Sequence, residues 1–340
     1  MSQCGVLTTS GIFAILFSTE HMFRTFTRLT EEPSWPHNGG PNRAWPPRGP
    51  GWGSCMSNIR SLLAADDVLY LPGAWDGFSA RLIEQAGFSG IFTGGMAIAA
   101  SLGLPDAGLY SMSENLDAVR RIAAATDLPL FSDIDNGYGN AANTRRTVRM
   151  FEQAGASAFF IEDQQSPKRC PASVDAPVAV DPIDVCLGRL RAAVDGRRNE
   201  STVIVARIDA WGDEARRRAE IFATAGVDML KFSSRSFTSS EDWRAVHETT
   251  GLPLLASLTP DTWVEREFSR ETMVEIGVQV ALLPLSALYS ACTAIQKTLA
   301  GLRSGLSGAV TGRDDIAHEE FSELFGFSEA LELERKYIPA

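Results

Sequence analysis

From residue 67 to residue 286, short apolar and β-rich runs alternate with stretches whose apolar positions recur every three to four residues. "VLYLPG" precedes the amphipathic "GFSARLIEQAG", and "GIFTGG" follows; "LPLFSDID" precedes "AANTRRTVRMFEQAG", and "SAFFIED" comes next. Further on come "TVIVARIDA" before "DEARRRAEIFATAG", "VDMLKFSS" before "SEDWRAVHETTG", then "LPLLASLTP" and "VQVALLPLS". This pattern predicts eight strands, near residues 68–72, 90–94, 129–134, 157–162, 202–208, 227–232, 253–258 and 279–284. Continuous apolar runs are what parallel strands buried on both faces look like, with the helical stretches as crossovers. A doubly wound sheet uses the same alternation, but eight strands with a polar residue at nearly every C-terminal end favour a (β/α)8 TIM barrel. The recurring Ala-Gly before a strand ("EQAGFSGIF", "EQAGASAFF", "ATAGVDML") marks helix ends where glycine takes the left-handed conformation.

Outside that region the pattern fails. Residues 1–55 contain "EEPSWPHNGGPNRAWPPRGPGWGSC", crowded with Pro, Gly and Trp and without helical or strand periodicity. They are expected to lie outside the core, either as a tail or as an over-long start before Met56. The catalytic domain is expected over 56–300, with a helical tail over 301–340. "GIFAILF" is too short to span a bilayer, and no basic segment precedes it as a secretory signal requires.

Composition narrows the function. The 340 residues are 44% apolar, enough for a large core. With 31 Lys and Arg against 42 Asp and Glu, the formal charge is −11, which repels nucleic acid and anionic lipid. No nucleic-acid or membrane partner is expected. The five cysteines lack the spacing of a zinc site or a disulfide framework, which fits a reducing cytoplasm. None of the four histidines falls at a strand end, so a Ser-His-Asp triad or a His-ligated zinc hydrolase is disfavoured.

A barrel gathers its strand ends on one rim. There stand Gly94 and Gly95, Asp133 and Asp135, Glu162 and Asp163, Arg207 and Asp209, Ser233 and Ser234, Ser257 and Thr259, and Ser286. Several carboxylates in one mouth repel each other unless a cation or a proton shares the site. Oxygen ligands without His or Cys point to a hard ion, Mg2+ or else Mn2+, on Asp133, Asp135 and Glu162. Asp163 or Asp209 taken singly is as readily a helix cap. Beyond Glu162, "SPKRC" supplies Lys168, Arg169 and Cys170 on a Pro-marked loop. A thiol beside two cations suits an enzyme that stabilises an enolate and then protonates it.

In order, "LPGAWDGFSARLIEQAGF", "FTGGMAIAASLGLPD", "SDIDNGYGNAANTRRTVRMFEQAGA", "IEDQQSPKRC", "VARIDA" and "LPLSAL" closely resemble the isocitrate lyase and phosphoenolpyruvate mutase superfamily. "FSELFGFSEALELERKY" resembles the tail of its carboxyphosphonoenolpyruvate mutase-like and methylisocitrate lyase-like members. The resemblance implies a Mg2+-dependent barrel whose last helix is exchanged between subunits of a dimer-of-dimers homotetramer. It implies a 2-hydroxy or 2-oxo acid as substrate. By the same resemblance, Asp133, Asp135 and Glu162 correspond to metal-binding carboxylates. Thr93, Gly94, Gly95 and Arg207 correspond to groups holding the substrate carboxylate, and Asp106 to an acid near the metal. Lys168, Arg169 and Cys170 correspond to the start of a gating loop whose cysteine protonates the departing enolate.

The departures are informative too. Pro171 and Ala172 stand where the lyases have Gly and His, Trp75 where they have Tyr, and Ile208 where they have Thr. Ser233 replaces a glutamate and Ser257 an asparagine that contacts a second carboxylate. Each change trims the tricarboxylate pocket, so neither isocitrate nor methylisocitrate is expected. The first expectation is a retro-aldol carbon–carbon lyase with Trp75, Ser233, Ser257 and Thr259 around the substrate. The alternatives are a phosphonopyruvate-type mutase or hydrolase, an oxaloacetate hydrolase or decarboxylase, and a barrel that binds without catalysis.

Overall fold

A computed structural model describes residues 59–64, 67–173, 177–303 and 316–338. The chain divides into two units. The first, Arg48–Phe325, contains the barrel; the second, Met1–Pro47 with Gly326–Ala340, is described only over its last part, helix α13 (Phe327–Tyr337). Residues 1–55 lie outside the described residues.

The barrel unit begins with α1 (Ile59–Leu63), followed by β1 (Leu69–Pro72), α2 (Gly77–Gln85), β2 (Ile91–Thr93), α3 (Gly95–Ser101) and α4 (Met112–Ala125). Next are β3 (Leu130–Asp133), α5 (Ala141–Ala154), β4 (Ala156–Glu162), α6 (Ile183–Gly196), β5 (Val203–Ile208) and α7 (Gly212–Ala223). The unit ends with β6 (Met229–Phe232), α8 (Ser240–Thr250), β7 (Leu254–Ser257), the short α9 (Trp263–Glu267) and α10 (Arg270–Glu275), β8 (Val278–Leu283), α11 (Ser286–Arg303) and α12 (His318–Leu324). Every strand lies within two residues of its expected place.

The strands run β1-β8-β7-β6-β5-β4-β3-β2, all parallel. A parallel bridge from Gly73 to Phe92 links β1 to β2 and brings the sheet round into the expected (β/α)8 barrel. The strand period of two sorts the side chains. Leu71, Phe131, Phe160, Val205, Met229 and Leu255 point inward and fill the barrel. Ile91, Leu130, Phe159, Ile204, Leu230 and Ala281 point outward and pack under the helices.

Local chemistry fixes the helices. Asp76, Ser111 and Asn140 form capping boxes at the starts of α2, α4 and α5, each worth roughly 1 kcal/mol. After α2, α5 and α7, the Ala-Gly turns place Gly87, Gly155 and Gly226 at positive φ, as the sequence pattern requires. Below the barrel, Ile59 joins the interior cluster, while Arg60 donates to the carbonyls of Glu200 and Thr202 and pairs with Asp228 at 2.9 Å. α1 therefore stoppers the N-terminal end, and the C-terminal end stays open for chemistry.

The last barrel helix extends to Arg303, three residues past the expected boundary. No residue of α11 is buried, and Tyr289, Ile295, Leu299 and Leu302 are exposed. The tail was expected to pack on a neighbouring subunit; within this chain Phe325 stacks on Phe78 of α2, with centroids 5.4 Å apart. Among the described residues, no helix is long and apolar enough to cross a membrane.

Candidate active site

Near the tops of β3, β4, β5 and β6 the interior side chains stop being apolar. Register explains it: Glu162 pairs with Arg207, and Arg207 with Lys231, one step above the Phe160 and Val205 layer. Arg207 spends its whole fork on acids. One terminal nitrogen lies 2.9 Å from Asp133 Oδ2 and 3.0 Å from Glu162 Oε2, and the other 3.0 Å from Asp209 Oδ2. A guanidinium supplies this many donors in one plane and an ammonium does not.

A second cation enters from above. Lys168 is drawn down until only 5% of it is exposed; its Nζ lies 3.0 Å from Asp106 Oδ1 and also pairs with Asp135. Burial works against that ammonium, but Asp135, Glu162 and Asp133 raise its pKa well above the ordinary lysine value. Asp135 sits at positive φ, which an aspartate tolerates, and its backbone N–H donates to Asp133 Oδ1 at 3.1 Å. Burial pushes Asp135 up and Glu162 well above the carboxylate range, whereas Arg207, Lys168 and Lys231 outweigh burial and hold Asp133 below it.

A cavity of about 90 Å³ opens over these groups. Its walls include Gly94, Gly95, Asp106, Asp133, Cys170 and Arg207 on one side of the sequence motifs, and Lys231, Ser233, Ser257 and Thr259 on the other. The Cys170 thiol points at the Met96 sulfur, 3.9 Å away. Asp135 and Glu162 lie just outside the lining, held by Lys168 and Arg207.

Three expected residues stand elsewhere. Arg169, expected to act beside Lys168, is exposed and outside the lining; its backbone N–H donates to Gln164 Oε1 at 2.9 Å. Lys168 turns inward and its neighbour Arg169 outward. Trp75 is half-buried and also outside the lining, its backbone N–H donating to Ser79 at the α2 cap. Thr93 is buried, donating to the Ser132 hydroxyl at 2.9 Å beneath the site.

Asp163 and Asp209 support the site from behind. Asp163 accepts from the Asp209 N–H at 2.8 Å and pairs with Arg218 at 3.2 Å, while burial and the neighbouring Asp209 push it up to about 7. Gln164 donates to Asp209 at 2.7 Å and accepts from the loop at Arg169. The loop that carries Lys168 and the carboxylate that orients Arg207 are thus tied to one glutamine.

The sequence reading missed Tyr110, Asn115 and Lys231. Tyr110 is buried with its hydroxyl 3.4 Å from Asp135, and Asn115 donates to the Asp133 carbonyl at 2.9 Å. Lys231 was readable: it sits at the inward parity of β6, between Met229 and Ser233, where an apolar residue is the rule.

Gly95 makes room for this arrangement. A Cβ there would stand 2.7 Å from both Lys168 Nζ and the Tyr110 hydroxyl. Gly95→Ala is therefore expected to shift the ammonium off its two carboxylates and lower kcat/KM roughly 100-fold, the loss typical of a 1 Å misplacement. Circular dichroism melting should change little, because the conflict is confined to the tips of two side chains and touches no backbone; a full-activity variant would show that Lys168 need not sit there.

Residues 59–303 match the phosphoenolpyruvate phosphomutase family. The chain is 36% identical over 245 residues to a probable 2-methylisocitrate lyase of Corynebacterium glutamicum, covering 71% of this chain and 78% of that protein. It is 30% identical over 286 residues to 2,3-dimethylmalate lyase of Eubacterium barkeri, covering 83% and 97%. Among solved structures, phosphonopyruvate hydrolase in complex with oxalate and Mg2+ superposes with a TM-score of 0.73 at 27% identity, covering 84% of this chain and 99% of that one.

Proposed function

The chain belongs to the phosphoenolpyruvate phosphomutase family, and from that premise we propose that it is a Mg2+-dependent carbon–carbon lyase acting in the retro-aldol sense on a short 2-hydroxy acid. The observation that carries this reading is the meeting of Cys170 with Arg207, Asp106 and Asp133 in one cavity at the open end of the barrel, with Lys168 beside it on Asp106 and Asp135. A proton donor, an anion clamp and buried carboxylates are what enolate chemistry needs in one place.

The donor set fits a hard cation. Asp106, Asp133, Asp135, Glu162 and Asp209 face only Lys168, Arg207 and Lys231, so five carboxylates against three cations leave an excess of two negative charges. Both Glu162 oxygens are buried without a hydrogen bond. Among the described residues no three acidic, His or Cys side chains converge on one point, because Arg207 and Lys168 separate them. Mg2+ needs only one or two carboxylates, with waters and substrate completing its shell. Asp133, Asp135 and Glu162 therefore fit as the group from which one or two carboxylates would hold it. When bound, the ion supplies charge stabilisation for a 2-oxo acid and its enolate.

In this reading the chain's own groups divide the task. Gly94 and Gly95 approach the acid end of the substrate, while Arg207 holds Asp133 and Glu162 in place beside it. Asp106 Oδ1, buried without a hydrogen bond beside Lys168, accepts the 2-hydroxyl proton. As the hydroxyl carbon becomes a carbonyl, the adjoining carbon–carbon bond breaks and its electron pair passes to the second acid as an enolate. Cys170 then gives its thiol proton to that carbon. A cavity of about 90 Å³ holds on the order of six to nine waters and suits a short acid better than a tricarboxylate. The exposed apolar positions of α11 fit burial against further copies of the chain in a homo-oligomer.

The test is proton and phosphorus NMR of the protein with short 2-hydroxy diacids, oxaloacetate and phosphonopyruvate, with Mg2+ and with EDTA. Release of a 2-oxo acid from a hydroxy acid, abolished by EDTA, is the expected result. Turnover of oxaloacetate or phosphonopyruvate alone would replace the lyase by the hydrolase, decarboxylase or mutase reading.

A further inference from the structure

Lys231 differs from every other cation at the mouth. It is 6% exposed, it lines the cavity, and among the described residues it has no hydrogen-bond or ion-pair partner. Its register neighbour Arg207 is fully engaged by three carboxylates, and Lys168 by two. An unpaired buried ammonium is costly and persists where something outside the protein pairs with it.

The surroundings say what that is. Ser233 lies two residues farther along the same face of β6. Across the pair of Lys231 with Leu255, Ser257 takes the equivalent place on β7, and its hydroxyl too lacks a partner among the described residues. By strand order β6 and β7 stand opposite β2 and β3, which bring Gly94, Gly95 and Asp133. The cavity therefore has one wall for the reacting acid end and an opposite wall bearing a cation and hydroxyls. Charge-assisted hydrogen bonds from such a wall recognise an oxyanion.

We propose that Lys231, with Ser257 beside it, is the specificity-determining residue that receives a second carboxylate, so that the enzyme takes short dicarboxylic 2-hydroxy or 2-oxo acids in preference to monocarboxylic ones. This rests on the lyase reading of the same cavity. It accounts for the free ammonium, and burial together with Arg207, which lower its pKa to about 8, still leave it charged at neutral pH. It also answers the replacement of the larger polar side chains on this wall by serines. The small hydroxyls leave space that the long lysine reaches into from below.

The test compares two ligands by isothermal titration calorimetry with Mg2+ present. Oxalate fills only the two-carbon core, one of its carboxylates standing in for the 2-oxo group, whereas 3,3-difluorooxaloacetate carries a carboxylate at C4 beyond that core. In Lys231→Met the affinity for oxalate should stay within about threefold, and that for 3,3-difluorooxaloacetate should fall about 10- to 100-fold, the worth of a hydrogen bond to a charged group. A purely structural lysine would weaken the two ligands alike, so the readout is the difference between their losses and not the melting temperature. Lys231→Gln, which keeps a polar head, gives the same comparison if the methionine variant misfolds. Equal losses for both ligands, or no loss for the longer one, would overturn the assignment. Wild-type protein that binds neither ligand would overturn the lyase reading itself, and this inference with it.

Discussion

Replacing Arg207 by leucine is expected to abolish measurable activity and to destabilise the barrel by about 3–5 kcal/mol, the cost of leaving buried charge without its partner. The expectation follows from where the guanidinium stands. Its terminal nitrogens reach Asp133, Glu162 and Asp209 at 2.9–3.0 Å, and the side chains of all three acids are at most 7% exposed. Removing the arginine leaves those carboxylates facing one another across the top of the interior. Protonation can relieve one of them, since burial already pushes Glu162 well above the carboxylate range, but three acids cannot share one proton. For a domain of this size the loss corresponds to roughly 10 °C in melting temperature. Arg207→Lys should fall between wild type and leucine, because it restores the charge without the fork that grips Asp209 through two nitrogens. A leucine variant that melts like wild type would mean that the acids are not held by this residue.

The same acids are legible in the sequence, and the reason is periodicity. A strand that must be apolar on both faces can change character only where it leaves the barrel. Asp133, Asp135, Glu162 and Arg207 therefore stood out at the ends of "LPLFSDID", "SAFFIED" and "TVIVARIDA". The eight strands and the glycine turns before them were legible for the same local reasons. Pairing was not, because it depends on contacts far apart in sequence. Asp106 stands 62 residues before the Lys168 that pairs with it, and nothing local distinguishes Lys168, which turns inward, from Arg169, which turns out. Trp75 was placed at the substrate by resemblance, yet the backbone at that point serves the α2 cap. Lys231 was hidden for the opposite reason: it lies inside an apolar run, where its parity and not its neighbourhood reveals which way it faces.

Lys168 completes the balance, and its removal should separate catalysis from stability in a way that Arg207 does not. Lys168→Met is expected to lower kcat by about 10²–10³, the range for losing one preorganised electrostatic group, while the protein stays folded. The difference lies in how the two cations are held. Arg207 is anchored in a strand between buried acids, whereas Lys168 reaches down from a loop to Asp106 and Asp135 near the cavity. Those two carboxylates lose a counter-charge in the variant, and an added divalent cation can replace it. The stabilisation that a ligand gives grows with its affinity for the folded state, so a given Mg2+ concentration should raise the melting temperature of Lys168→Met more than that of wild type. A smaller rise in the variant would mean that the ammonium helps to bind the ion. An equal rise would mean that Asp135, the carboxylate Lys168 occupies, is not among the residues that hold it.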